Sequence, residues 1–153
     1  MVRLVPVSQD LARAVFSGDL SVVDAVPGWP HADTFDALRP VAISGGEGTF
    51  LVVEEESGRV VGECGWFGPP DDAGEAEIGY GLAAPSRGRG HGTAAVAALL
   101  DWVERQPGVR RVTARVDVGN EPSHRLLARH GFERDGTDGD QVRWVRDNRT
   151  NGT

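Results

Sequence analysis

The run Arg87-Gly88-Arg89-Gly90-His91-Gly92-Thr93 carries the densest chemistry in the chain. Glycines at alternate positions let the backbone curl so that successive N–H groups face one side, and they leave no side chain to block a close approach. The run lies between an alternating segment, Glu75–Leu82, and a stretch with helical periodicity from about Gly92 to Arg105, where Val96, Leu99, Leu100 and Val103 share one face. A helix starting there adds unsatisfied N–H groups and the positive end of its dipole. Arg87 and Arg89 add charge-assisted donors. Such a loop fits a pyrophosphate; the plainer alternative is a solvated loop in which His91 is filler. Gly90-x-Gly92-x-x-Ala95 also has the spacing of a dinucleotide fingerprint, with Asp117 further on, so an NAD(P)-dependent oxidoreductase is one alternative. That reading needs several βα units in succession, and only one helix-crossed pair of strands is visible.

Composition removes other chemistries. All 16 basic residues are arginine. Without lysine there is no P-loop NTPase and no Schiff base to a substrate or a pyridoxal cofactor. Cys64 is the single cysteine, which excludes an internal disulfide and any paired-cysteine zinc or redox site. His124 and His130 stand six apart, which is not a ligand spacing, so no metal is expected. The net charge of −7 argues against a nucleic-acid partner. Its distribution is uneven: residues 1–86 hold four arginines against fourteen acids, and residues 87–134 nine arginines against five. The cationic stretch suits an anionic ligand, the acidic one a cationic ligand. No run approaches the length of a membrane span and no secretion signal is visible, so a cytoplasmic protein with no membrane partner is expected.

The elements that must position these residues read as one α/β domain. Val2–Val7 is β-prone, and Ser8 offers a cap to a following helix. A second short helix is expected over Leu20–Val26 and a third over Ala32–Ile43, kinked or ended by Pro40. Thr49–Glu56 and Arg59–Phe67 flank Ser57-Gly58 as a hairpin, and Glu75–Leu82 follows as a third antiparallel strand. Arg111–Val118 is another strand and Glu121–His130 a short helix closed by Gly131. Phe132 onward and Gln141–Arg146 complete the sheet. The expected organisation is a single domain over 1–147, with a helical acceptor-side region over 1–48, a core over 49–147, and a disordered tail over 148–153. Trp66 and Trp102 read as core. Trp29, in Pro-Gly-Trp-Pro, either stacks on a substrate or seals the core.

A second constellation, Asn120-Glu-Pro-Ser123 followed by Leu126-Leu127 and Gly131-Phe132, stands beyond the next strand. This pattern is similar to the second signature of the GNAT superfamily of acyl-CoA-dependent N-acetyltransferases. Arg87-x-x-Gly90-x-Gly92 matches that superfamily's first signature. Glu77-Ile-Gly-Tyr-Gly-Leu82 and the Asn120/Ser123 form of the second motif resemble its ribosomal-protein-alanine acetyltransferase branch. The resemblance covers roughly Thr49 to Val145.

The resemblance implies a mixed sheet of about six to seven strands with flanking helices, splayed between Glu75–Leu82 and Arg111–Val118. It implies acetyl-CoA as cosubstrate, with pantetheine pairing at Leu82 and Ala83 and held by Asn120, and with pyrophosphate on Gly88 to Thr93 beside Arg87 and Arg89. It implies acetyl transfer to a primary amine, which must lose a proton before it attacks. Glu77 is the first choice of base, Glu63 the second and Asp117 the third, with Glu63 and Trp29 placed on the acceptor side. Many family members have a tyrosine acid where this chain has Leu127, and Ser123 is the expected substitute. The acceptor is a cationic small molecule or peptide: a protein N-terminus, an amino acid derivative, a polyamine or an amine antibiotic. A homodimer is the default assembly. The missing tyrosine leaves a non-catalytic acyl-CoA-binding sensor as the other alternative.

Overall fold

The computed structural model describes residues 1–148 and builds one seven-stranded sheet in the order β1-β2-β3-β4-β5-β7-β6. The strands are β1 (Val2–Pro6), β2 (Thr49–Glu54), β3 (Val60–Trp66), β4 (Glu75–Leu82), β5 (Arg111–Asp117), β6 (Glu133–Asp138) and β7 (Gln141–Asp147). The helices are α1 (Gln9–Phe16), α2 (Ala32–Ser44), α3 (His91–Glu104) and α4 (Glu121–Arg129). The expected mixed α/β architecture is therefore observed. Contacts divide the chain into two compact units, one formed by Met1–Gly65 with Tyr80–Leu99, the other by Trp66–Gly79 with the chain from Leu100 onward.

In the first unit, β1 and β3 flank β2 antiparallel, with Val5 opposite Leu51 and Leu51 opposite Glu63. Residues directly opposite share a sheet face, so Leu51 and Glu63 point the same way. That face is covered by α1 and α2 through Ala12, Val15, Leu38 and Val41, with Trp29 in the same cluster. Ser8 caps α1 as expected, its hydroxyl accepting from the Leu11 amide at 3.1 Å.

One expectation fails here, and for another, the helix over Ala32–Ile43, one of two alternatives at Pro40 is excluded. Leu20–Val26 does not form a helix: a single 3-10 turn spans Leu20–Val22, and Ala25 then bridges to Val60. Main-chain bonds from Val26 N–H to the Val60 carbonyl and from Val60 N–H to the Asp24 carbonyl tie this segment to the start of β3, and they outweigh a helix too short to nucleate. Pro40 does not end α2, which runs on to Ser44. The lost Pro40 N–H costs about 3 kcal/mol. Burying Leu38 and Val41 on the inner side returns roughly 1.5–3 kcal/mol each. The stop comes instead at Gly45, with φ +70°.

In the second unit, β5 runs parallel to β4, joining Arg111–Ala114 to Glu75–Ile78, and antiparallel to β7. Trp66 and Trp102 meet edge to face at 4.9 Å, as core. His124 is buried; its Nε2 faces the carbonyls of Asp117 and Val118 at 3.0 and 3.2 Å, while Nδ1 accepts from the Trp144 indole at 3.0 Å. Those partners fix α4 to the end of β5.

The disordered tail expected from residue 148 is corrected at its first residue; the others lie outside the described residues. Asn148 is buried, and its side-chain amide donates to the carbonyls of Glu104 at 2.9 Å and Val109 at 2.8 Å. Its own N–H donates to Arg110. The side chain closes the end of α3 onto the start of β5. Asn148→Ala removes both of these side-chain hydrogen bonds and should cost about 1–3 kcal/mol, read as a lower urea midpoint at unchanged slope. A loss within 0.3 kcal/mol would contradict this clamp.

Candidate active site

Everything that gathers in the first unit lies at the end of β4 and in the loop that follows. Gly88 and Gly90 sit at φ +78° and +82°, a region closed to side-chain-bearing residues without strain. Neither is short of room: nothing lies within 4 Å of a Cβ built on Gly88, and only Met1 approaches Gly90. The glycines are thus there for backbone direction. Among the described residues, no acceptor meets the N–H groups of Gly88, Arg89, Gly90, His91 and Gly92. Gly92 and Thr93 form the first turn of α3. The loop is fastened at both ends. Arg87 Nε reaches back to the Leu82 carbonyl at 3.3 Å. The His91 ring turns inward, with Nε2 2.9 Å from Glu54 and Nδ1 3.3 Å from the Ser86 carbonyl.

These contacts correct the expectation that His91 is filler in the loop. The His91 side chain is 5 % exposed and pins α3 to the end of β2. Ala83 is fully buried, its N–H donating to Val61 and its carbonyl accepting from Ser86. Leu82 keeps its place at the strand end, with its carbonyl on Arg87. Arg89 is exposed.

A cluster of acid–base groups surrounds Gly81. Glu63, 2 % exposed, accepts at one carboxylate oxygen, Oε1, from the Trp29 indole at 3.1 Å and the Thr34 hydroxyl at 2.5 Å. His31 Nε2 stands 3.6 Å from the same oxygen. The other oxygen, Oε2, faces Gly81: a Cβ there would lie 2.5 Å from Oε2 and 3.2 Å from His31 Cε1. Only glycine fits. On the neighbouring strand a Cβ at Gly62 would collide with the Gly81 carbonyl, so both strands give up side chains where their backbones meet. The start of α2 builds the cluster, with the His31 N–H donating to Thr34 Oγ1 at 3.2 Å.

Burial penalises the charged form of Glu63 and raises its carboxyl above the ordinary glutamate range. Thr34, the facing His31 and Trp29 oppose that rise, and Asp33 adds to it. Burial likewise pushes the Cys64 thiol up, leaving a protonated, buried side chain rather than a nucleophile. Trp29 is 5 % exposed, so of its two expected roles the core one is observed, and its indole also holds Glu63. His31 and Thr34 were not singled out in the sequence. Their only signal there is a capping spacing of three residues.

In the second unit, Glu77 Oε1 lies 3.7 Å from Arg115 Nε, and Arg115 also meets Asp138. Asp117 accepts from Gln141 at 3.3 Å. Asn120 caps α4 through the Ser123 amide at 3.3 Å, which places Ser123 in the first turn of that helix.

Comparison with known proteins adds an independent finding. Residues 2–133 match the family model described as Acetyltransferase (GNAT) domain. The chain is 27% identical to an uncharacterized N-acetyltransferase, YjdG, of Bacillus subtilis (strain 168), over 76% of this chain and 74% of that one. Its fold is similar to ribosomal-protein-S5-alanine acetyltransferase from Vibrio fischeri, with TM-score 0.68, 20% identity and coverage of 97% and 93%. It is similar in the same degree to the spermidine/spermine N-acetyltransferase SpeG from Vibrio cholerae, with TM-score 0.68, 17% identity and coverage of 97% and 95%.

The folded state holds the Glu63 proton more tightly than the unfolded chain. Its stabilising contribution is therefore complete below about pH 4.3 and is lost as pH rises through the folded value. Glu63→Gln, which keeps an oxygen for Trp29 and Thr34, should unfold at higher urea than the wild type at pH 7. That advantage should shrink as the pH is lowered to about 4; an advantage that grows on acidification would show the sign to be wrong.

Proposed function

Since the chain belongs to the GNAT acetyltransferase family, we propose that it transfers the acetyl group of acetyl-CoA to a primary amine by direct attack in a ternary complex. The observation that carries this reading is the series of N–H groups from Gly88 to Gly92, without acceptors of their own, at the start of α3. They suit a pyrophosphate, which carries the oxygens and the charge that a helix start and a glycine curl accommodate. Arg89, exposed beside them, adds a cation. The excess of arginine over acids in residues 87–134 favours a polyanion in the same stretch.

The thioester belongs near Gly81 and Leu82, whose main-chain N–H groups would polarise its carbonyl. A thiolate with a pKa near 8.5 is a tolerable leaving group, so a dedicated acid at Ser123 is not required. The acceptor is a cationic amine. The first 86 residues, with fourteen acids to four arginines, favour one, and so do structural relatives named for a ribosomal-protein alanine and for spermidine or spermine. A peptide N-terminus and a polyamine are accordingly the first acceptors to try.

Two measurements test the reading. Gly90→Val forces a β-branched residue to φ +82°, at a cost of at least about 1–2 kcal/mol. Coenzyme A affinity by calorimetry should fall at least about tenfold; unchanged affinity would remove the loop from the site. Release of free thiol from acetyl-CoA should accelerate with spermidine, an alanyl peptide or an amine antibiotic, and no acceleration with any amine across a broad panel would refute the transfer reaction.

A further inference from the structure

We infer that His31, backed by Glu63, is the group that takes the proton from the acceptor amine, so that the start of α2 supplies the base. This rests on the acyl-transfer reading above. Three observations carry it. His31 Nε2 faces Glu63 Oε1 at 3.6 Å and has no hydrogen-bond partner of its own. Glu63 is fixed by Trp29 and Thr34 and cannot turn away. Both side chains close on the Cα of Gly81, the point at which the thioester carbonyl is placed, and the ring is 21% exposed where the carboxylate is 2% exposed. The carboxylate is thus too enclosed to meet an amine directly, while the imidazole in front of it is open.

In the step itself, an N–H bond of the ammonium breaks and its proton passes to His31 Nδ1. The freed lone pair forms the C–N bond to the acetyl carbon. The C–S bond breaks with its electrons on sulfur, and the second proton of the new C–N nitrogen goes to that sulfur, giving the free thiol. The surplus proton stays on His31, facing the Glu63 carboxylate at 3.6 Å. The raised affinity of Glu63 for a proton makes the pair a better acceptor near neutral pH than an ordinary carboxylate. The titratable neighbours are Asp33 on α2 and Cys64 on β3. Glu63 is a positioning residue here, and His31 the catalytic one.

The test uses the full chain with coenzyme A bound. Ring nitrogen NMR at high pH should place the His31 proton on Nε2, toward Glu63; a proton on Nδ1 would overturn the inference. With acetyl-CoA and whichever of spermidine or an alanyl peptide is turned over, His31→Gln should lower kcat at least tenfold while coenzyme A affinity stays within twofold. It should also remove the limb in which the wild-type rate rises with pH. Glu63→Gln should lower kcat by less than His31→Gln does and should displace that limb. A wild-type pH profile in both variants would overturn the proton role alone. Loss of coenzyme A binding in the wild type, or no amine turned over, would overturn the transfer reading with it.

Discussion

A carboxylate inside a sheet must be satisfied, and in the first unit that requirement organises the chain around it. Removing a charge from water costs several kcal/mol even after relaxation. The indole of Trp29 and the hydroxyl of Thr34 each offset about 1.5–3 kcal/mol of that. To deliver them, the Pro27–Pro30 loop must fold inward and α2 must start at Ala32, with His31 as its cap, rather than earlier. To leave room for the second oxygen, β4 must carry glycine at position 81. A helix start, a loop and a strand are thereby tied to one side chain on β3. The pairing of Leu51 with Glu63 keeps that side chain on the face that α1 and α2 cover.

The loop after β4 solves a different problem, which is to keep main-chain donors uncommitted. Arg87 and His91 turn back into the protein, to Leu82 and Glu54. With the loop held at both ends, Gly88 and Gly90 sit between the anchors at positive φ, and the loop takes its shape without a ligand. The energetic cost of ordering is met before binding, which is the condition under which a backbone cradle binds tightly.

This contrast explains what could be read from the sequence. The cradle is made of backbone, and the residues that permit its geometry, Gly88, Gly90 and Gly92, advertise it by type and spacing. The same holds for the hairpin at Ser57-Gly58, the Ser8 cap and the Gly131 helix end. The cluster at Gly81 is made of side chains brought together from positions 29, 31, 34 and 63, and no local pattern links them. Trp29 could be flagged as unusual, and Glu63 as one carboxylate among several. His31 looked like any residue before a helix. Pro40 and the Leu20–Val26 segment misled for a related reason, because packing of Leu38, Val41, Ala25 and Val60 outweighed local propensity. The buried Asn148 was hidden by its position next to a polar tail.

The division also bears on how such a site can change. Substitutions in the cradle act through φ angles and the direction of N–H bonds, so most of them remove function outright. Substitutions at the start of α2 act on charge and on what reaches Gly81, while the sheet and the loop stay as they are. Residue 31 caps the helix and is partly exposed, whereas Thr34 is fully buried and donates to Glu63, so of the two only position 31 is open to new side chains. Glu63 is the exception on that side. Its removal without an isosteric replacement would strand the donors of Trp29 and Thr34 in the interior, so the carboxylate is retained by folding whatever part it takes in the chemistry.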